Sequence, residues 1–292
     1  MKILLLSGAF HLEKSLAEKF DIIKVEQKFF PDNEQYIRIP YKNDDEYLIV
    51  QSMFRNPDNK IIETIFAIRT LKDLGVKKIY GFFPYLAYTR QDKRYKEGEA
   101  ISQLIVLEML RNAGLEYLIT LDAHFHQGIP QLEGLKIKNV ICAPYFYKYL
   151  TSIIPRENFV VIGPDDDAYI LALKLAEKLN LQVGYIEKLR KGEREVAALS
   201  ININVKDKNV ILIDDMISTG GTIIKAYELL KKEGANEVFV IATHGLFVED
   251  ALQKLKNLGI KNIMTTNSVP NEVAVFDVSE ILIEELEWIK KL

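Results

Sequence analysis

The segment Val210-Ile211-Leu212-Ile213-Asp214-Asp215-Met216-Ile217-Ser218-Thr219-Gly220-Gly221-Thr222 constrains the fold more than any other part of the chain. Four consecutive aliphatic residues suit a strand covered on both faces, the kind found in parallel sheets flanked by helices. A hydroxyl-and-glycine turn follows, and then a periodic apolar segment that predicts a helix to about residue 232. Such a turn brings several backbone N–H groups to one point, where a phosphate dianion is the natural guest. The hydroxyls of Ser218, Thr219 and Thr222 can donate to the same phosphate. Asp214 and Asp215 would repel that dianion if they faced it, and make better sense as acceptors for the hydroxyls of an attached sugar. A plain helix cap also uses an acid ahead of a Gly-Gly turn, so the local pattern leaves both readings open.

Strand, loop and helix alternate along the whole chain. Strands are expected over residues 3–6, 47–52, 77–83, 117–121, 159–163, 182–188, 210–213, 237–242 and 263–265. A turn and then a strand are expected over residues 29–39. Helices are expected over 12–20, 59–72, 100–113, 169–179, 248–258 and 279–292. In the second of these, Ile62, Ile65, Phe66, Ile68 and Leu71 form the expected apolar side. This order argues for mostly parallel sheets with ligands at the strand ends. It divides near residue 143 into two α/β domains, residues 1–142 and 143–278, with a final amphipathic helix, residues 279–292, packing back on one of them.

A chain of 292 residues with 48% hydrophobic content can fill two such cores. Its formal charge of -3 gives little reason to expect a nucleic-acid partner. The single cysteine, Cys142, excludes an intramolecular disulfide and fits a reducing compartment. No window is long and apolar enough for a membrane span, and the first apolar run reads as a buried strand rather than a leader. A cytoplasmic, soluble protein is the expectation.

Four further clusters carry chemistry. Arg90, Lys93, Arg94 and Lys96, within Arg90-Gln91-Asp92-Lys93-Arg94-Tyr95-Lys96, follow a strand and can grip phosphoryl oxygens. They can equally solvate a surface. Asp122, His124 and His126 share one side if their segment is extended, either as metal ligands or as backbone-bonded structural groups. Asp165, Asp166 and Asp167 exceed what a helix cap requires and offer oxygens to a divalent ion. Lys188 and Arg190 share a face if their strand continues; an exposed hairpin is the alternative. Near the N-terminus, Phe30 beside Pro31-Asp32-Asn33 is either a core aromatic or a platform for a flat ligand, with Asp32 and Glu34 as acceptors. The Gly-x-Gly-x-x-Gly fingerprint and the Walker A loop are both absent, which argues against a dehydrogenase and a P-loop enzyme.

In this order, Phe30-Pro31-Asp32-Asn33-Glu34, Arg90-Gln91-Asp92, Asp122-Ala123-His124, Pro164-Asp165, Lys188 with Arg190, and Asp214 through Thr222 resemble the ribose-phosphate pyrophosphokinases, especially the shorter archaeal type. The resemblance covers nearly the whole chain. It implies an α/β fold of two similar phosphoribosyltransferase-like domains, with central mostly parallel sheets flanked by helices. In that scheme the first domain, residues 1–142, binds ATP, and the second, residues 143–278, binds D-ribose 5-phosphate. The helix at 279–292 then returns to the first domain.

The implied reaction transfers the β,γ-diphosphoryl group of Mg-ATP to the C1 hydroxyl of D-ribose 5-phosphate. Its products are AMP and 5-phospho-α-D-ribose 1-diphosphate. By resemblance, Ser218, Thr219, Gly220, Gly221 and Thr222 cradle the 5-phosphate, and Asp214 and Asp215 hold the ring hydroxyls. Arg90, Gln91, Asp92, Lys93 and Arg94 meet ATP, as do Phe30, Asp32, Asn33 and Glu34 at the adenine. The last group is contributed across a subunit interface, implying a homo-oligomer, a dimer or larger. His124 and Asp165 match magnesium-associated positions, and Lys188 with Arg190 matches the pair that stabilises the transferring group.

The chain departs from the family pattern at Asn33, where Gly is usual, at Ser218, where Asp is usual, at Leu189, where Arg is common, and at Asp167, where Gly is usual. Two rivals share parts of the pattern. A phosphoribosyltransferase would share Asp214–Thr222 without needing the first domain or the Arg90 cluster. A non-catalytic regulatory subunit would bind the same ligands without turnover.

Overall fold

A computed structural model describes residues 1–154, 158–189 and 198–289. These form two compact units, one comprising Met1–Val140 with the C-terminal segment from Val278, the other Ile141–Asp277.

The first unit opens with β1 (Lys2–Leu5), a 3-10 turn (Ser7–Leu12) and a short α1 (Glu13–Ala17), where a single helix over 12–20 is the sequence expectation. Of the expected apolar face Leu12, Leu16 and Phe20, the first two are buried and Phe20 is half-buried, because the helix ends at Ala17. Next come β2 (Ile22–Lys24), β3 (Glu26–Phe29), β4 (Gln35–Arg38) and β5 (Glu46–Val50). After them follow α2 (Pro57–Asp73), β6 (Lys78–Phe83), α3 (Ser102–Ala113), β7 (Tyr117–Leu121) and β8 (Lys136–Val140).

Six strands make one parallel sheet in the order β2-β1-β5-β6-β7-β8. β3 and β4 form a separate antiparallel ribbon. The sheet core joins Leu4, Leu6 and Ile49 with Ile68, Leu71, Leu107 and Leu110 from the helices.

The apolar side of α2 differs from the sequence expectation. Ile68 and Leu71 are buried, but Ile62 and Phe66 are exposed, and Ile61, Thr64 and Ala67 take their place. The reason is Glu63: its carboxylate is fully buried and receives the Ser7 turn, which fixes the rotation of the helix.

The second unit begins with a 3-10 turn (Ala143–Tyr145) and α4 (Phe146–Ile153), then β9 (Phe159–Gly163), α5 (Tyr169–Leu179), β10 (Gln182–Leu189) and β11 (Ala198–Ile201). It continues through β12 (Asn209–Ile217), α6 (Gly221–Lys232), β13 (Val238–Gly245), α7 (Ala251–Asn257), β14 (Asn262–Thr266) and β15 (Ala274–Phe276).

The sheet order is β11-β10-β9-β12-β13-β14-β15, parallel except where β11 returns antiparallel along β10. Ile162, Leu212 and Val240 pack with Ile223, Leu230 and Leu255 in its core. The chain then rejoins the first unit as α8 (Val278–Ile289), where Lys138 of β8 donates to the nearly buried Glu285.

Both units are thus α/β folds with central mostly parallel sheets. In each, chain order reverses direction across the sheet, between β1 and β5 in the first and between β9 and β12 in the second. Loops leaving such neighbouring strands diverge and open a crevice at their carboxyl ends.

Candidate active site

In the second unit the crevice lies between β9 and β12, whose residues Ile162 and Leu212 are paired. β9 ends at Gly163 and delivers Pro164-Asp165. β12 runs to Ile217, four residues past the expected end at 213, because Asp214, Met216 and Ile217 remain paired with Ala242, His244 and Gly245 of β13. The acidic pair therefore stands on the strand itself, and the turn starts only at Ser218. Oδ1 of Asp214 accepts the Asp215 amide at 2.9 Å. Burial, reinforced by the neighbouring Asp215 and Asp165 carboxylates, pushes the Asp214 carboxyl well above the usual carboxylate range. Asp165 closes the turn ahead of α5: its Oδ1 accepts the amide of Ala168, the N-cap residue, at 3.1 Å, and no side chain caps the helix itself.

The turn is held from the β13 side. Ile217 O accepts the amides of Leu246 and Phe247 at 3.0 and 3.1 Å, and Ser218 O accepts that of Val248 at 3.1 Å. Gly220 then takes φ 80°, a left-handed conformation that costs other residues more, and serves as N-cap of α6. No side chain caps this helix. Its first N–H groups have no intrahelical acceptor, and they carry the positive end of the helix dipole. Thr219, Gly221 and Thr222 are exposed and Ser218 is half-buried around them. This donor set suits a phosphate monoester with a polyol attached on the side of Asp214 and Asp215.

The first unit gathers a different set. β6 leads into residues 84–101, and β7 into residues 122–128. Arg90, Lys93 and Arg94 are exposed, while Gln91 and Asp92 are half-buried. Glu99 organises the loop: its carboxylate accepts the Tyr95 and Lys96 amides at 2.8 and 3.1 Å, and its carbonyl accepts Arg94 Nε at 2.8 Å. Gln91 Nε2 donates to the Lys93 carbonyl at 3.0 Å. Asp92 Oδ2 accepts the Gln127 amide at 3.3 Å, which joins the basic loop to the segment carrying His124. That segment is not extended: the backbone turns at the buried Asp122, φ 35°. His124 and His126 still meet, edge to face, through their Nε2 atoms.

At the β3–β4 ribbon, Phe30 is 43% exposed, so the core reading of this aromatic is overturned. Its ring meets Tyr36 edge-on, with Lys28 over both. Asp32 Oδ1 accepts the Glu34 amide at 3.1 Å, and Asn33 adopts φ 68°, which Asn tolerates where Gly is usual. Lys188 is paired with Leu199 in the β10–β11 hairpin. Its side chain, and the whole of Arg190, lie outside the described residues.

The carboxylates of Asp165, Asp214 and Asp215 are the oxygen donors that magnesium prefers. Among the described residues, no three His, Cys, Asp or Glu are grouped as a ready cage for a metal ion. Magnesium commonly takes one or two carboxylates and completes its shell with water and substrate phosphates, so such a partial set fits it. Sequence reasoning missed Glu99, Gln103 and Glu63. Gln103 and Glu63 act by hydrogen bonds to groups distant in sequence, which leaves no local pattern, and Glu99 acts within a loop whose sequence shows only its charge.

The fold and the turn after β12 define a phosphoribosyl-transferase-type protein: residues 133–280 match the model of the phosphoribosyl transferase domain. Residues 1–114 match the N-terminal domain of ribose phosphate pyrophosphokinase. The ribose-phosphate pyrophosphokinase of Pyrococcus furiosus is 40% identical over 279 residues, 94% of this chain and 97% of that protein. That of Sulfurisphaera tokodaii is 38% identical over 273 residues, 91% and 92% of the two chains. The crystal structure of phosphoribosylpyrophosphate synthetase from Mycobacterium smegmatis superposes with a TM-score of 0.86 at 26% identity, covering 100% of this chain and 99% of that one. The chain belongs to the ribose-phosphate pyrophosphokinase family.

Proposed function

We propose that this chain is a ribose-phosphate diphosphokinase that converts D-ribose 5-phosphate and Mg-ATP to 5-phospho-α-D-ribose 1-diphosphate and AMP. The observation that carries the reading is the α6 N-terminus: a helix start with no side-chain cap, preceded by left-handed Gly220, with an acid pair on the strand leading into it. The 5-phosphate takes the N–H groups and hydroxyls of Ser218, Thr219, Gly220, Gly221 and Thr222. Asp214 and Asp215 accept hydrogen bonds from the 2- and 3-hydroxyls, which fixes the ring and presents C1.

ATP is held by Arg90, Gln91, Asp92, Lys93 and Arg94. The adenine is read by Phe30, Asp32, Asn33 and Glu34 of a second copy of the chain, so the working form is a homo-oligomer. Exposure of the aromatic ribbon supports this assignment. The C1 hydroxyl oxygen forms a bond to the β-phosphorus as the bond from that phosphorus to the α,β-bridging oxygen breaks. AMP leaves with the bridging oxygen, and the hydroxyl proton passes to solvent. Lys188 and Arg190 stabilise the charge of the diphosphoryl group in flight. Asp165 in the second unit and His124 in the first match the magnesium-associated positions of the family; magnesium, when bound, would neutralise phosphoryl charge.

Incubation with ribose 5-phosphate and Mg-ATP tests the reading. AMP and the activated sugar form in equal amounts, with no ADP. Release of ADP, or binding without turnover, would overturn it. Lys188→Ala lowers kcat by about a hundredfold or more at unchanged thermal stability.

A further inference from the structure

Gln103 sits in the first turn of α3 and is only 4% exposed, although its side chain is a polar amide. Its Nε2 donates to two carbonyls from different loops, Thr89 O at 3.0 Å and His124 O at 3.4 Å. Its backbone N–H donates to Gln91 O at 3.3 Å. Thr89 is itself buried and immediately precedes Arg90. One residue thereby holds both flanks of Arg90 and the carbonyl of the histidine that follows β7.

We propose that Gln103 is a positioning residue that locks the Arg90–Gln91 segment to the His124 segment, so that nucleotide binding in the first unit depends on its amide. The inference rests on the function proposed above for its catalytic consequence, but the clasp itself is a property of the fold. A donor only 4% exposed and placed between two carbonyls is costly to remove, because both carbonyls lose this hydrogen bond. Asp92 makes a second tie between the same loops, through the Gln127 amide. Loss of the Gln103 donor therefore loosens the pair without separating it. Displacements below 1 Å at such groups are enough to depress rates strongly.

The test uses the full-length chain and two variants. Gln103→Met keeps the length and removes the donor; Gln103→Asn keeps the donor and withdraws it by one methylene, and serves if the first does not fold. In both, amide hydrogen exchange should accelerate together in residues 84–101 and 122–128 of the ligand-free protein. KM for ATP should rise about tenfold and kcat fall, while KM for ribose 5-phosphate stays within about twofold. Exchange altered only within α3, or an unchanged KM for ATP in a folded variant, overturns the proposal. If the wild-type chain makes no activated sugar, the reaction assignment fails, and the exchange result still decides the clasp.

Discussion

The Asp215 amide donates to Oδ1 of Asp214 at 2.9 Å, so two adjacent acids at the end of β12 share one local hydrogen bond instead of splaying apart. Asp214 is half-buried, and desolvation together with the charges of Asp215 and Asp165 holds its carboxyl well above the usual carboxylate range. An unfolded chain releases this proton first. As pH rises from about 4, the native state therefore binds more protons than the unfolded one, and the contribution of Asp214 to stability falls until its folded pKa is passed. Asp214→Asn keeps the acceptor oxygen and removes the charge. Without divalent ions, its melting temperature should exceed that of wild type at pH 8, and the difference should vanish near pH 4. Its KM for ribose 5-phosphate should rise at least about tenfold. Equal melting profiles would show that the acid is not strained by its neighbours.

Gly221 separates the needs of the fold from those of the ligand. A Cβ built there meets nothing closer than Thr219 Oγ1 at 3.9 Å, so the free protein has room for a methyl group. That methyl would nevertheless stand at the start of α6, where the phosphate is proposed to sit. Gly221→Ala should unfold within about 1 kcal/mol of wild type. Its KM for ribose 5-phosphate should rise by about tenfold or more, with KM for ATP unchanged. Calorimetry with steady-state kinetics checks both. A stable variant with ordinary sugar-phosphate affinity would place the ester elsewhere.

The strands were legible wherever apolar residues ran uninterrupted: Tyr117–Leu121 and Phe159–Gly163 lie where the sequence predicts them. The short or polar strands were not. Lys136–Val140 carries only scattered apolar residues and is a strand because β7 offers it a free edge. Ala274–Phe276 joins β14 across a register shift that no local pattern announces. At the site, the turn at Ser218–Thr222 was legible because its chemistry is local and its glycines have a backbone task. Glu99 was not, because it bonds within its own loop, in a stretch whose pattern speaks only of positive charge. Nor were Gln103 and Glu63, because each gains its role only when a segment remote in sequence brings a carbonyl or an amide to it. The same cause explains the exposed Phe66: periodicity marks an apolar side of α2, and buried Glu63 rotates the helix away from it.

Lys138 and Glu285 join β8 to the C-terminal helix across 147 residues of sequence. Glu285 is only 8% exposed, so loss of this cation leaves a carboxylate facing a partly dry surrounding. Lys138→Met should lower stability by about 1–3 kcal/mol. The double variant Lys138→Met with Glu285→Met should recover most of the loss, since an apolar pair leaves no charge unmatched. Urea unfolding of the four proteins gives the cycle directly. Additive losses would mean that the two groups do not interact in solution.

Gly8 tests the turn on which the first unit's crevice is built. Its amide donates to Gln51 Oε1 at 2.8 Å, and a Cβ there would lie 2.1 Å from the Ser52 carbonyl oxygen. Backbone on both sides must then move, and no flexible side chain can yield in its place. The neighbouring Ser7 amide and hydroxyl donate to the fully buried Glu63 at 2.8 and 2.5 Å, and Gln51 Nε2 does so at 3.1 Å. A shift at Gly8 therefore also strains the groups that hold a buried carboxylate. Gly8→Ala should destabilise the protein by about 3 kcal/mol or more, near the upper end for overpacking. Ser7→Ala removes one of the donors to Glu63 and should cost about 1–2 kcal/mol. If Gly8→Ala proved the milder of the two in urea unfolding, the close approach of β1 and β5 ends would have to relax more easily than their paired, buried backbone allows.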